Sequence, residues 1–347
     1  MRLRNVLLAG LVSLGIAGTA AAQAPAPTAI TPELVAAATK EGKVVYYTAV
    51  DVKVAEQIAK VFEAKYPGIK VQVERSGAER VFQRIGQEYT SKIYNVDVVN
   101  SSDAAHFVYW KREGWLAPVV PDDVAKHFAP AYKDPDGMHA AWRITLSPIA
   151  YNTKLVTAAE APKSYADLLD PKWSGKIVKA HPGYSGTILT QTFQVSRDVG
   201  WTYFEKLALQ KVMQVQSATD PPNKVVSGER PIMSDGTEYN VLLLKQSGAP
   251  IEVVYPTEGT PLVVGPSGVM KNAPNPNAAR LFHIWSFTSE AQQTMVDVGA
   301  LRSAHPAVKE PAGRKPLSEI KLMKDDPVEV DKQSEAIKER YTKNFKT

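Results

Sequence analysis

What most constrains the fold of this chain is the alternation of two hydrophobic periods that begins after residue 42. "KVVYYTA" is a continuous apolar run of the kind a buried strand carries. "VKVAEQIAKVFEAKYPG" spaces its apolar residues three and four apart, as a helix does, and "IKVQVER" reads again as a strand. Together they form a β-α-β unit. "AERVFQRIGQEYTSKI" supplies the next helix and "VDVVNSS" the next strand, so the pattern repeats and predicts an open α/β sheet. Ligands of such sheets gather at the carboxyl ends of the strands. Those ends carry Thr48 to Asp51, Ser76 with Gly77, and Asn100 to Asp103, which puts Asp51 and Ser102 on one rim.

A second set of elements runs from "WRITLSPIAYNTKLV" through "GKIVKAHPGYSGTILTQTFQV" and "RPIMSDGTEYNVLLLKQSG" to "IEVVYPTEGTPLVVGPSGVM". Its last part has strand-like runs broken by Pro and Gly, as a return crossing between two lobes requires. "NAARLFHIWSFTSEAQQTMVDVG" then restores helical spacing. A chain of 347 residues exceeds the roughly 250 to 300 at which single cores stop growing. Two lobes are therefore expected: residues 31–142 with 264–347 as lobe 1 and 143–263 as lobe 2, with crossing strands near both boundaries.

The N-terminus sets the compartment. "MRLRNVLLAGLVSLGIAGTAAAQ" joins Arg2 and Arg4 to a short apolar stretch and ends in small residues. This reads as a secretory signal peptide spanning 1–22, cut after Ala22, and places the protein in the periplasm. Residues 23–30 form a flexible Pro/Ala leader. Thr31 then caps a helix that has Pro32 at its first position and Gly42 past its end. The chain has no cysteine, so thiol nucleophiles, disulfides and thiolate metal sites are excluded. Cleavage removes Arg2 and Arg4 and no acid, so the formal charge falls from +5 to +3. With mixed charges and no long basic run, nucleic acid is not an expected partner.

The order of these pieces resembles a known family. "VVYYTAVDVKVAEQIAKVFEAKYPGIKVQV", "VDVVNSSDAAHFVYWKREGWL", "SYADLLDPKWSGKI", "HPGYSGT", "VVSGERPIMSDGTEYN" and "GPSGVMKNAPNPNAARLFHIWSFTSEAQQ" follow one another as in extracellular solute-binding family 1. Within it they are similar to the ferric-iron-binding-like branch of type II periplasmic binding proteins that serve ABC importers. The resemblance covers nearly the whole mature chain. It implies an α/β fold of two lobes, hinge strands between them, a small-molecule solute held in the cleft, and delivery to an inner-membrane ABC permease by a protein expected to be a monomer.

The resemblance leaves the solute open. Iron binders of this branch use a histidine or tyrosine after the first strand, a glutamate after "D-V" and a serine, and two adjacent tyrosines. Here Asp51, Ser102 and the pair Glu238 and Tyr239 occupy those places, so only Tyr239 matches. An oxygen-rich ferric site from Asp51, Glu238 and Tyr239 is the alternative reading. Against it stands Arg143, which the resemblance places near the cleft's anion, and whose planar fork suits phosphate or carboxylate oxygens.

The stretch "YSGT" adds Ser185, Gly186 and Thr187 at a helix start, where free N-H groups and the helix dipole favour an anion. Tyr184, Trp142 and Tyr47 are candidate wall residues, although aromatics are more often core. Asp235, Glu238 and Tyr239 in "SDGTEYN" are expected to line the cleft. The carboxylates leave room for a zwitterion. The expected solute is thus a small organic anion or zwitterion, either phosphorylated, a phosphonate or a carboxylate, with ferric iron as the alternative. No cofactor and no resident metal are expected. His106, His127, His139, His181, His283 and His305 show no metal-ligand spacing and read as surface or core residues. "GYSGT" and "GPSGV" lack the spacing of a hydrolase elbow, so an enzyme is not expected.

Overall fold

The computed structural model describes residues 25–347, and the signal peptide read at 1–22 lies outside them. Helix α1 (Pro32–Glu41) starts where Thr31 accepts a hydrogen bond from Leu34 N and ends at Gly42, whose φ of 72° is left-handed. Strand β1 (Lys43–Thr48), helix α2 (Val52–Lys65), strand β2 (Lys70–Arg75), helix α3 (Ala78–Thr90) and strand β3 (Val98–Asn100) follow. β1 pairs in parallel with both β2 and β3, in a register that sets Thr48 opposite Arg75 on one side and Asn100 on the other. Three carboxyl ends therefore stand side by side at one rim. Helix α4 (Ala104–Arg112), strand β4 (Leu116–Ala117) and helix α5 (Asp122–His127) then lead to strand β5 (Ala140–Leu146), the first crossing to the second lobe.

The second lobe holds strand β6 (Ile149–Asn152), strand β7 (Ile177–Ala180), helices α6 (Gly186–Asp198) and α7 (Trp201–Ala208), strand β8 (Met213–Val215), helix α8 (Pro221–Val226), strand β9 (Ile232–Met233), helix α9 (Glu238–Gln246) and strand β10 (Ile251–Val254). Its sheet runs β10-β6-β9-β7-β8, with β7 parallel to both β8 and β9. The segments after those three strands bring Ser185, Ser217 and Thr237 to the interlobe cleft. Strand β11 (Leu262–Met270) returns the chain to the first sheet and pairs antiparallel with β3, β4 and β5. Its register with β5 shifts at Gly265 and Pro266, where proline cannot donate to the ladder. Helices α10 (Pro276–Ser286), α11 (Ser289–Gly299) and α12 (Pro327–Phe345) complete the chain.

Each lobe has its own aromatic centre. Phe62 meets Tyr66, Phe282 and Trp285 at ring distances of 5.0 to 5.1 Å in lobe 1. In lobe 2 Tyr165 packs edge-on against Tyr203. Tyr47 and Trp142 lie in the lobe 1 core.

The expected boundaries, 142/143 and 263/264, fall within the two crossing strands β5 and β11. β5 stays in the first sheet as far as Leu146, and β11 rejoins it at Leu262. The last helix does not stay on lobe 1. Val330 and Ile337 of α12 pack with Ala105 of α4 and with Leu189 and Phe193 of α6, and Tyr341 accepts a 2.8 Å hydrogen bond from Lys179 of β7. The apolar stripe of α12 finds its partner on α6, so the helix straddles both lobes.

Candidate functional site

The carboxyl ends of the two sheets face one another across a cleft that is almost shut. The cavity left inside measures about 20 Å³, little more than a single water needs. From lobe 1 it is lined by Arg75, Ser102, Arg143 and Thr145, and from lobe 2 by Ser185, Thr187, Ser217, Thr219, Thr237 and Tyr239. Eight of these side chains carry hydroxyls, two carry guanidinium groups, and none of the lining residues carries a carboxylate.

Arg143 is the centre of the arrangement. It lies on β5 opposite Gly265, and a Cβ at Gly265 would come within 2.9 Å of Arg143 Cγ and 3.1 Å of Cζ, so the absent side chain makes the shelf on which Arg143 rests. Its Nη1 donates to Asn100 Oδ1, and Asn100 Nδ2 in turn donates to Pro266 O at 2.8 Å, which fixes the amide. Arg143 is 2% exposed, its Nε has no acceptor, and no carboxylate pairs with it among the described residues. Burial pulls its pKa below the usual value for arginine, against the opposing influence of Tyr239 and Tyr46. A buried, unpaired guanidinium is costly, and an anion beside it removes that cost.

Helix α6 points its N-terminus at the same cavity. Ser185 Oγ caps Ile188 N, and the amides of Gly186 and Thr187 have no acceptor among the described residues. Arg75, at the end of β2, donates across the cleft to Ser217 Oγ at 3.0 Å and Thr219 Oγ1 at 3.5 Å. The lobes touch closely at two glycines. A Cβ on Gly77 would sit 2.7 Å from Tyr184 O, and one on Gly186 would sit 2.6 Å from Asp103 Cβ.

A cleft between two α/β lobes, lined by donors at facing strand ends, suits a protein that closes over a small solute. Residues 57–322 match the sequence profile of the bacterial extracellular solute-binding protein family. This chain belongs to that family.

The solute-binding protein shares its fold with AfuA of Actinobacillus pleuropneumoniae, solved with fructose-6-phosphate bound. The TM-score is 0.79 at 23% identity, covering 88% of this chain and 99% of AfuA. Iron-bound HitA of Pseudomonas aeruginosa gives 0.74 at 22% identity, over 86% and 99% of the two chains. Iron uptake protein A1 of Synechocystis is 26% identical over 242 residues, 65% of this chain and 66% of the relative.

The solute-binding protein brings Arg143, Ser102, Ser185, Thr187 and Tyr239 together around its cavity, with Gly186 at the adjoining helix start. Tyr184 stands further out, 41% exposed, at the cleft mouth. The two carboxylates expected to line the cleft face elsewhere. Asp235 accepts from Ala180 N at 2.8 Å and lies 3.1 Å from the Lys179 ammonium, deep in lobe 2. Glu238 accepts from Arg302 Nε and Nη2 and from Arg314 Nη2, all at 2.8 Å, and from Tyr255 Oη at 2.6 Å. Burial alone would raise the Glu238 carboxyl, and the two guanidinium groups overcome it and hold the group below its usual range. Asp51 is the N-cap of α2, its Oδ1 accepting from Lys53 N, while its own amide donates to Tyr239 Oη at 3.2 Å. Of the three residues read as an iron shell, only Tyr239 lines the cavity, and burial raises its phenol above the usual range while Arg143 works the other way.

Arg75 escaped the sequence reading because it looked like the polar end of a strand, although a basic residue at a carboxyl strand end was a usable signal. Two groupings of acids and histidines also appear that no spacing announced. Asp123, His127 and His305 meet beside α5, and Glu79, Asp103 and His106 meet in the interior. The interior group is already balanced by Lys338, 2.8 Å from Glu79. Glu258 Oε1 accepts from the backbone amides of Tyr165 and Ala166.

Proposed function

We propose that this protein captures a small organic oxyanion in its interlobe cleft and hands it to an inner-membrane ABC permease. The observation that carries the reading is Arg143, a buried cation whose Nε is unpartnered and which no carboxylate balances. A phosphoryl or phosphonate group fits better than a carboxylate. Each of its three oxygens accepts two or three hydrogen bonds, and the cavity offers two guanidinium groups, eight hydroxyls and a helix start as donors. The shared fold with a protein solved with a sugar phosphate is consistent with this. Ferric iron, the cargo named for other relatives, is supported by Tyr239 alone of the expected donors, and two guanidinium groups beside it disfavour a bare cation.

The test is a thermal-shift and calorimetric series with inorganic phosphate, methylphosphonate, hexose phosphates, citrate and ferric iron. Phosphorylated or phosphonate compounds should stabilise the wild type and leave Arg143→Met unmoved. Stabilisation by ferric iron alone, equal in both proteins, would reject the reading.

A further inference from the structure

Asp123 and His127 of α5 meet His305, from the segment that follows α11, on lobe 1, and none of the three lines the cleft. We infer that together they bind a zinc ion, which pins α5 to that segment.

The three donor atoms converge without bonding to one another. Asp123 Oδ1 lies 3.7 Å from His127 Nε2 and 4.0 Å from His305 Nε2, beyond hydrogen-bond range in both cases, and all three donors fall within 4.8 Å of one another. Ligands held at about 2.0 to 2.2 Å around a tetrahedral zinc are themselves about 3.3 to 3.5 Å apart, so Asp123 needs to approach each imidazole by less than about 1 Å. The side chains of His127 and Asp123 are 46% and 30% exposed, which leaves them free to make that movement and leaves the ion a way in.

His305 is the fixed member. It is 5% exposed, its Nε2 has no hydrogen-bond partner among the described residues, and that nitrogen faces Asp123. Its main-chain N donates to Ser303 Oγ at 2.9 Å, and Phe128 packs edge-on against its ring. A buried ring nitrogen left without a partner is costly, and a metal ion supplies one. Ala307 N donates to His305 Nδ1 at 3.2 Å, which leaves the ring proton on Nε2 in the free protein. On binding, that proton passes to Nδ1, the lone pair on Nε2 goes to the metal, and the exposed Ala307 amide turns to water.

Charge supports the same assignment. Asp123 has no Lys or Arg partner among the described residues, because Lys126 on the same helix pairs with Asp122. Two imidazole nitrogens and one carboxylate oxygen, with water in the fourth place, form a donor set that suits zinc. The interior grouping of Glu79, Asp103 and His106 gives the contrast. There Glu79 Oε1 already lies 2.9 Å from His106 Nε2, and the Lys338 ammonium lies 2.8 Å from Glu79 Oε2, so the charges are settled among the side chains themselves.

The experiment is calorimetric titration of the untagged wild type, His127→Gln, Asp123→Asn and His305→Gln with zinc chloride in a phosphate-free buffer, paired with thermal unfolding. The wild type should take up one zinc ion per chain at this site and melt higher with it, and each variant should bind that ion about tenfold or more weakly and lose most of the rise in melting temperature. His127 is exposed, so its variant keeps the test decisive even where the buried His305→Gln fails to fold. Cobalt serves as a spectroscopic probe: the visible bands of a four-coordinate ion are expected with the wild type and not with His127→Gln. No zinc uptake by the wild type, or uptake equal in the wild type, His127→Gln and Asp123→Asn, would overturn the inference.

Discussion

Arg302 grips Glu238 through two parallel hydrogen bonds of 2.8 Å, and this buried fork turns the carboxylate away from the cleft. Arg314 and Tyr255 complete the shell around it. Glu238 begins α9 in lobe 2, while Arg302 sits beside β5 through a backbone bridge to Ile144. The group is thus a staple at the hinge. Glu238→Gln should cost about 3 to 5 kcal/mol of stability, because two guanidinium groups lose their counter-charge in a buried place. Its solute affinity, measured at a temperature where the variant is folded, should stay within about threefold of wild type. A loss of binding without a loss of melting temperature would return Glu238 to the cleft.

Arg143 should behave in the opposite way. Removing a buried, unbalanced cation relieves the free protein, so Arg143→Met is expected to melt above wild type, by about 1 to 2 °C per kcal/mol gained for a chain of this size. The same change should weaken oxyanion binding by about 100-fold or more. Differential scanning calorimetry with and without inorganic phosphate reads both effects, and a variant that melts lower yet still binds would contradict the assignment.

Closure should depend on the two contact glycines. Gly186→Ala keeps a good helix former in α6, but its Cβ would strike Asp103 across the cleft, and the clash exists only when the lobes are shut. The variant should melt near wild type, bind solute about tenfold more weakly, and show a larger radius of gyration by small-angle scattering. An unchanged radius with unchanged affinity would show that this contact does not govern closure.

His283, His139 and His181 should each cost stability as pH drops from 7 to 5, while buried Asp325, lifted to about 7, and Asp103, lifted to about 6, work the other way. Burial pushes His283 down to about 3, and His139 and His181 to about 4. The unfolded chain protonates these rings near pH 6.5 and the folded one does not, so unfolding gains protons throughout that window. His283 alone accounts for about 2 kcal/mol at pH 5. His106 opposes the trend. Burial lowers its pKa, but Glu79 and Asp103 more than offset this and raise it, so the stability it contributes is greatest at low pH and fades as pH rises through its folded pKa. His283→Gln should raise the melting temperature at pH 5 relative to that at pH 7, compared with the wild type, and an unaltered difference would show that His283 does not carry this penalty.

The elements that position the cleft were legible in the sequence because they rest on local signals. Thr31, Pro32 and Gly42 bound α1 as expected, and the strand ends at Thr48, Arg75 and Asn100 meet at one rim because parallel pairing aligns them. The turn "SDGTEYN" was harder. Its backbone does reach the cleft through Thr237 and Tyr239, but the directions of Asp235 and Glu238 are set by Lys179, Arg302 and Arg314, each more than 50 residues away in sequence. Local pattern carries no information about such partners. The same holds for α12, whose apolar stripe reads as amphipathic without saying which lobe it covers.

The most direct test of the central claim is native mass spectrometry of the protein purified from a bacterial periplasm, compared with the same sample denatured. A bound organic mass containing phosphorus, lost on denaturation and absent from Arg143→Met, is the predicted result. A lost mass equal to one iron atom, retained by Arg143→Met, would contradict the oxyanion account and place a metal beside Tyr239 instead.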